Sequence, residues 1–316
     1  MLAMSATAFL SACAIEPPAT IRQLEASASA AAQATRSPKT DGSPSAEPTR
    51  SAEPTQSTQS PQPTETPATA RPATASETAQ APATSANHIA AAAPYTVPAA
   101  TVHQWLVTKT GPATKTAFLT YDDGPSPNLT PQLLDALKAL GVHATFFVVG
   151  YRLAQNPAIA QRAMAEGHAI CLHSYSHDYG YLYPGRVGNA ERIAADYDKA
   201  LEIGKQVFGS SYVSPGYRYP GGHMSWKGME AADAALAARG VSWIDWNCMT
   251  GDAEKKPSMS GDQGVQTVVG TLANSGHPTA AVMLSHDSSG GYVSLQSLPK
   301  LVEWFRANGY GFGVIG

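Results

Sequence analysis

From Thr114 onward the chain alternates short apolar runs with longer amphipathic stretches. The runs are TAFLTY (116–121), HATFFVVG (143–150), HAICLH (168–173), SYVSPGYR (211–218), VSWIDWN (241–247), AAVMLSH (280–286) and YGFGVI (310–315). Their length and their β-branched and aromatic content predict strands. The stretches between them have helical period. TPQLLDALKAL (130–140) spaces its leucines three and four apart, begins with Pro131 in its first turn and stops at Gly141. NPAIAQRAMAEG, NAERIAADYDKALEIGKQVFG, WKGMEAADAALAARG, DQGVQTVVGTLANSG and LQSLPKLVEWFRANG follow the same plan, each closing on Gly. Strand–helix alternation with glycine stops predicts βαβ units. About seven parallel strands predict an α/β fold, a distorted and incomplete (β/α) barrel. Chemistry in such folds collects at the C-terminal strand ends.

The first third of the chain has a different composition. Between Leu10 and Pro94 there is no Phe, Tyr or Trp, and Ala, Thr, Ser, Pro, Gln and Glu dominate. Such a segment buries too little apolar surface to offset chain entropy. Residues 14–94 therefore read as a disordered linker, and 95–316 as the globular domain. The start, MLAMSATAFLSAC, ends in Leu-Ser-Ala-Cys. That tetrapeptide resembles a bacterial lipobox, so residues 1–13 read as a lipoprotein-type signal segment with Cys13 lipidated. The apolar run is too short to span a bilayer, and no Lys or Arg precedes it. The expected location is outside the cytoplasm, facing the cell wall, held to the membrane only through lipid. An 80-residue coil would then give the domain a reach of roughly 50 Å. A net charge of −3 and a pI near 6.3 provide no basic footprint, which argues against nucleic-acid binding. Cys171 and Cys248 sit in apolar runs and are expected unpaired. A monomer is expected.

The strand ends carry the chemistry. The first ends in Asp122-Asp123, and the third in HSYSH with His173 and His177. The fourth ends in RYPGG with Arg218, the fifth runs on to Asp252, and the sixth ends in LSH with His286. Adjacent carboxylates repel unless a cation intervenes. Two histidines four apart with a nearby Asp supply a three-ligand N/O set that leaves positions open, which suits zinc and also cobalt or nickel.

These five segments, TYDDGP, HSYSH, RYPGG, the Asp252 loop and LSH, resemble in order the motifs of polysaccharide deacetylases. That family is carbohydrate esterase family 4, the NodB-homology domain, and the likeness covers about residues 114 to 316. The wording around HDYGYLY and DWNCMTGDA is most similar to bacterial peptidoglycan deacetylases. The resemblance implies that Asp123, His173 and His177 hold a divalent metal, most simply Zn²⁺, and that Asp122 is the general base aimed by Arg218. It implies that His286 is the general acid oriented by Asp252, and that a backbone N–H at Gly221 meets the oxyanion. Tyr181, Tyr183 and Trp246 are candidates for stacking on sugar, and Leu284 for pocket wall. Two positions depart from the family pattern. Gly221 stands where Tyr is common, and Ala253 stands where Trp commonly follows the Asp, so Trp246 is assigned to the apolar wall.

The expected activity is metal-dependent removal of N-acetyl groups from peptidoglycan amino sugars, N-acetylglucosamine or N-acetylmuramic acid. Two alternatives use the same residues differently: O-deacetylation of a polysaccharide such as acetylated xylan, and a silent glycan-binding wall lipoprotein.

Overall fold

Seven parallel strands curl into a barrel that is left open along one seam. They are described in a computed structural model over residues 86–253, 259–276, 279–288 and 292–316. Cys13, the 1–13 segment and the linker as far as residue 85 lie outside the described residues. In chain order the strands are β1 (Thr96–Val97), β2 (Thr116–Asp122), β3 (Ala144–Val148), β4 (Ala169–Leu172), β5 (Gly216–Tyr217), β6 (Ser242–Trp243), β7 (Cys248–Met249), β8 (Ala280–His286), β9 (Gly311–Phe312) and β10 (Val314–Ile315). The main sheet runs β6-β5-β4-β3-β2-β8-β7, with β9 added at the start of β2. The helices are α1 (Ala99–Thr108), α2 (Thr130–Leu140), α3 (Gly150–Gln155), α4 (Pro157–Ala165), α5 (Tyr179–Leu182), α6 (Ala190–Phe208), α7 (Glu230–Ala237), α8 (Gly261–Ser275) and α9 (Tyr292–Ala307).

Strand alternation sorts the side chains into two cores. Leu119, Tyr121, Phe146, Ile170 and Met283 pack outward under the helices. Phe118, Phe147, Cys171, Ile244 and Val282 fill the lumen. From below, Ala99 and Val102 of α1 and Ile315 of β10 complete the lumen core. Truncating a buried phenylalanine such as Phe118 to Ala in a core of this kind costs about 3–5 kcal/mol. Cys171 and Cys248 are free and buried.

Three expectations need correction. The run VSWIDWN is not one strand: β6 ends at Trp243, and β7 lies on the opposite edge of the sheet. The run YGFGVI splits likewise, because β10 leaves the main sheet to pair with β1. The packed domain also starts before residue 95. Asn87 is fully buried and donates from Nδ2 to the Ile315 carbonyl at 2.8 Å, and its own carbonyl accepts from Ile170 N at 2.9 Å. One polar side chain at the barrel floor, with no aromatic beside it, left no compositional sign.

Candidate active site

β2 ends by placing two successive carboxyls at the mouth of the barrel. Neighbouring residues in a strand point to opposite faces. Asp123 breaks that rule with a left-handed φ of +75°. Both carboxyls thereby approach His173, whose Nε2 lies 3.8 Å from Asp122 Oδ2 and 3.5 Å from Asp123 Oδ1. His173 follows β4, and its Nδ1 is 2.7 Å from the Arg218 carbonyl. A carbonyl only accepts, so Nδ1 carries the proton and Nε2 presents its lone pair. Burial pushes the His173 imidazole down to about 4, which keeps it neutral.

His177 reaches the same point by a turn rather than along a helix face. Ser174 and His177 have φ of +67° and +53°. Ser174 Oγ accepts from His177 N at 2.9 Å, and the buried Asp196 of α6 accepts from the backbone of Tyr175 and Ser176. His177 Nε2 then stands 3.1 Å from Asp123 Oδ1. Burial opposes the charge of Asp123, but the His177 and His173 imidazoles hold its carboxyl well below the usual range. Asp123 Oδ1 is buried and, among the described residues, has no hydrogen-bond partner. One atom each from Asp123, His173 and His177 lies within 4.8 Å of the other two. An orphaned carboxylate oxygen facing two imidazoles is the donor set of an open zinc-type site, and the residues fit a divalent cation.

Arg218 lies fully buried in the lumen beneath them. Its Nη1 donates to Asp122 Oδ1 and to Thr120 Oγ1, both at 2.7 Å. Nε donates to the Ile244 carbonyl at 2.9 Å and Nη2 to the Asp245 carbonyl at 3.2 Å. The guanidinium also sits 4.0 Å from the Phe147 ring centroid. This charge-assisted network fixes the Asp122 carboxyl.

On the neighbouring strand β8, His286 is in register with Asp122. Its Nδ1 is 2.8 Å from Asp252 Oδ1, while Asp252 Oδ2 accepts from the His286 backbone at 2.8 Å and from the Ser294 hydroxyl. Burial disfavours the imidazolium, yet the Asp252 carboxylate overrides it and raises His286 to about 9. Gly221, after β5, has a φ of +81°, and among the described residues its N–H has no acceptor.

The remaining sequence candidates fall less centrally. Leu284 is buried in register with Thr120, as lumen wall below His286. Tyr183 is buried and stacked on Trp226 at 4.0 Å, so it is core and not a sugar platform. Tyr181 is exposed, with Arg192 over its ring at 5.2 Å. Trp246 lies under Gly222 and 5.7 Å from Arg218, lining a cavity of about 600 Å³ at the open seam with Leu106, Trp243 and Met249. That places it on the barrel flank, not around the triad.

The chain matches the polysaccharide deacetylase family model over residues 109–238. An esterase of carbohydrate esterase family 4 from Streptococcus mutans is 39% identical and superposes with a TM-score of 0.69, covering 73% of this chain and 97% of its own. The chain belongs to the polysaccharide deacetylase family. This deacetylase is also 27% identical to a Bacillus cereus peptidoglycan-N-acetylglucosamine deacetylase over 199 residues, 63% of the chain and 85% of the relative. The catalytic domain of a peptidoglycan N-acetylglucosamine deacetylase from Eubacterium rectale is 30% identical with a TM-score of 0.54, over 65% of this chain and 90% of that one.

Sequence reading passed over one carboxyl of the deacetylase. Asp287 is fully buried behind the Asp pair; its backbone N donates to the Asp122 carbonyl at 3.1 Å and its Oδ2 accepts from Thr130 Oγ1 at 2.6 Å. It presses so closely on Gly124 that a Cβ there would overlap its carboxylate. Burial pushes Asp287 up to about 7. A charged residue directly after His286 was the available signal.

Proposed function

We propose that this polysaccharide deacetylase is a metal-dependent N-deacetylase of peptidoglycan amino sugars, N-acetylglucosamine or N-acetylmuramic acid. The observation that carries the reading is the pairing of two differently held acid–base groups across the mouth. Asp122 is fixed by Arg218, and His286 is held protonated by Asp252. The named peptidoglycan deacetylases among its relatives support the choice of substrate.

Asp123, His173 and His177 would hold the cation, with Zn²⁺ the simplest fit to an Asp-His₂ set. When bound, it supplies Lewis acidity, polarising an acetyl carbonyl and acidifying water. Asp122 takes the proton of the attacking water, its free Oδ2 being the edge turned towards His173. The Gly221 N–H donates to the developing oxyanion. His286 gives its proton from Nε2 to the departing amine, while Asp252 holds the other ring nitrogen. Arg218 orients Asp122 and does not meet substrate. The N-terminal Leu-Ser-Ala-Cys supports presentation of this site towards the wall from a lipid anchor at Cys13.

Acetate release from N-acetylated peptidoglycan, with and without chelator, tests the reading beside Asp122→Asn. The expected result is release that chelator abolishes, zinc restores and Asp122→Asn loses. Release from acetylated xylan alone would replace the substrate and leave the residue roles standing.

A further inference from the structure

The wall of the cleft beside Gly221 carries no side chain of its own, and Tyr179 and Trp226 flank the position. A Cβ on Gly221 would lie 3.5 Å from the Tyr179 hydroxyl and 3.2 Å from Trp226 Cζ2. The phenol hydroxyl of Tyr179, from α5, therefore stands at van der Waals distance from where a side chain at residue 221 would begin. Tyr179 stands two residues past His177, with ring centroids 5.3 Å apart.

The ring is braced. It meets Trp226 edge-on at 5.3 Å, and Trp226 is itself stacked on the buried Tyr183 and covered by Arg186 at 5.2 Å. The Trp226 indole N–H donates to the Pro220 carbonyl at 2.8 Å, which ties this aromatic group to the Gly221 turn. Yet Tyr179 is 44% exposed, and among the described residues its hydroxyl has no hydrogen-bond partner. A held aromatic with a free polar tip is a preorganised contact for a ligand with one apolar face and one polar edge. Depth decides which part of the ligand it meets. Asp122 and His173 are almost wholly buried, so an acetyl group must descend to them, while the sugar ring stays at the level of the exposed Tyr179.

We propose that Tyr179 is a substrate-positioning residue, whose hydroxyl hydrogen-bonds the sugar bearing the acetyl group on the side that Gly221 leaves open. This rests on the glycan-deacetylase reading.

The test compares wild type, Tyr179→Phe and Tyr179→Ala, each zinc-loaded, on an N-acetylglucosamine oligomer and on 4-nitrophenyl acetate, which has no sugar. Zinc content is measured in each. Losing one hydrogen bond should raise KM for the oligomer about fivefold in Tyr179→Phe, with kcat within about twofold. Tyr179→Ala should raise it further. Hydrolysis of 4-nitrophenyl acetate and zinc content should not change. Equal losses on both substrates, or a loss of zinc, would overturn the proposal by placing Tyr179 with the reacting group or the metal loop. An unchanged KM in Tyr179→Phe would overturn it outright. If wild type cleaves 4-nitrophenyl acetate but not the oligomer, the choice of glycan has failed; the same KM ratio on acetylated xylan then decides whether Tyr179 grips a sugar.

Discussion

Replacing Asp252 by Asn should detach His286 from its raised ionisation. The carboxylate overrides burial and lifts the imidazole from 6.5 to about 9. At 1.36 kcal/mol for each tenfold, that lift corresponds to roughly 3 kcal/mol favouring the imidazolium. Asn has a similar shape but no charge, so burial then dominates and His286 should titrate at or below about 6.5. At pH 8 the protonated share would fall from about nine-tenths to about one-thirtieth, and near pH 6 most of it would survive. Acetate release should therefore drop about thirtyfold at pH 8 and far less at pH 6. Stability should move in parallel. The value of His286 is raised on folding, so its stabilisation is complete below pH 6.5 and is lost as pH climbs through 9. The variant should lack that alkaline loss. The same ion pair holds Asp252 low, so its energy is counted once. NMR titration of the imidazole in metal-free protein, with rate profiles of the zinc-loaded enzyme, measures both effects. An imidazole titrating at the same pH in both proteins would refute the reasoning.

His177→Ala should bind no zinc at stoichiometric supply while keeping its fold, checked by elemental analysis and circular dichroism; full metal content would remove His177 from the ligand set. Arg218→Met leaves Asp122 buried without its cation and should cost about 3–5 kcal/mol by denaturant unfolding, with activity lost. Asp287 is raised to about 7 on folding, so ionisation of the unfolded chain destabilises wild type as pH rises from 4 to 7. Asp287→Asn lacks this penalty, and its melting temperature should gain on wild type across that range and level off above it.

Much of this was legible because the information was local. Thr130–Leu140 and Ala190–Phe208 were marked by periodic leucines or by polar faces with closing glycines. Asp122, Arg218 and His286 each ended a run that had to be a strand, and parallel strands bring such ends to one rim. What escaped was decided over distance. Nothing local separates Trp243 from Cys248, yet they belong to opposite sheet edges. Trp246 was assigned to the acetyl pocket by residue type, and the seam carried it to the flank. Tyr179 and Asp287 escaped because one is defined by an empty position at Gly221 and the other by a pressed contact with Gly124.

The pairing of β1 with β10 fixes how the molecule is presented to a large substrate. Thr96 runs beside Val314, and Asn87 is bonded to the Ile315 carbonyl under the start of β4, so both ends of the folded unit share the barrel floor. The reactive rim is the opposite pole. The chain therefore enters the folded unit at Asn87 from the pole away from the cleft.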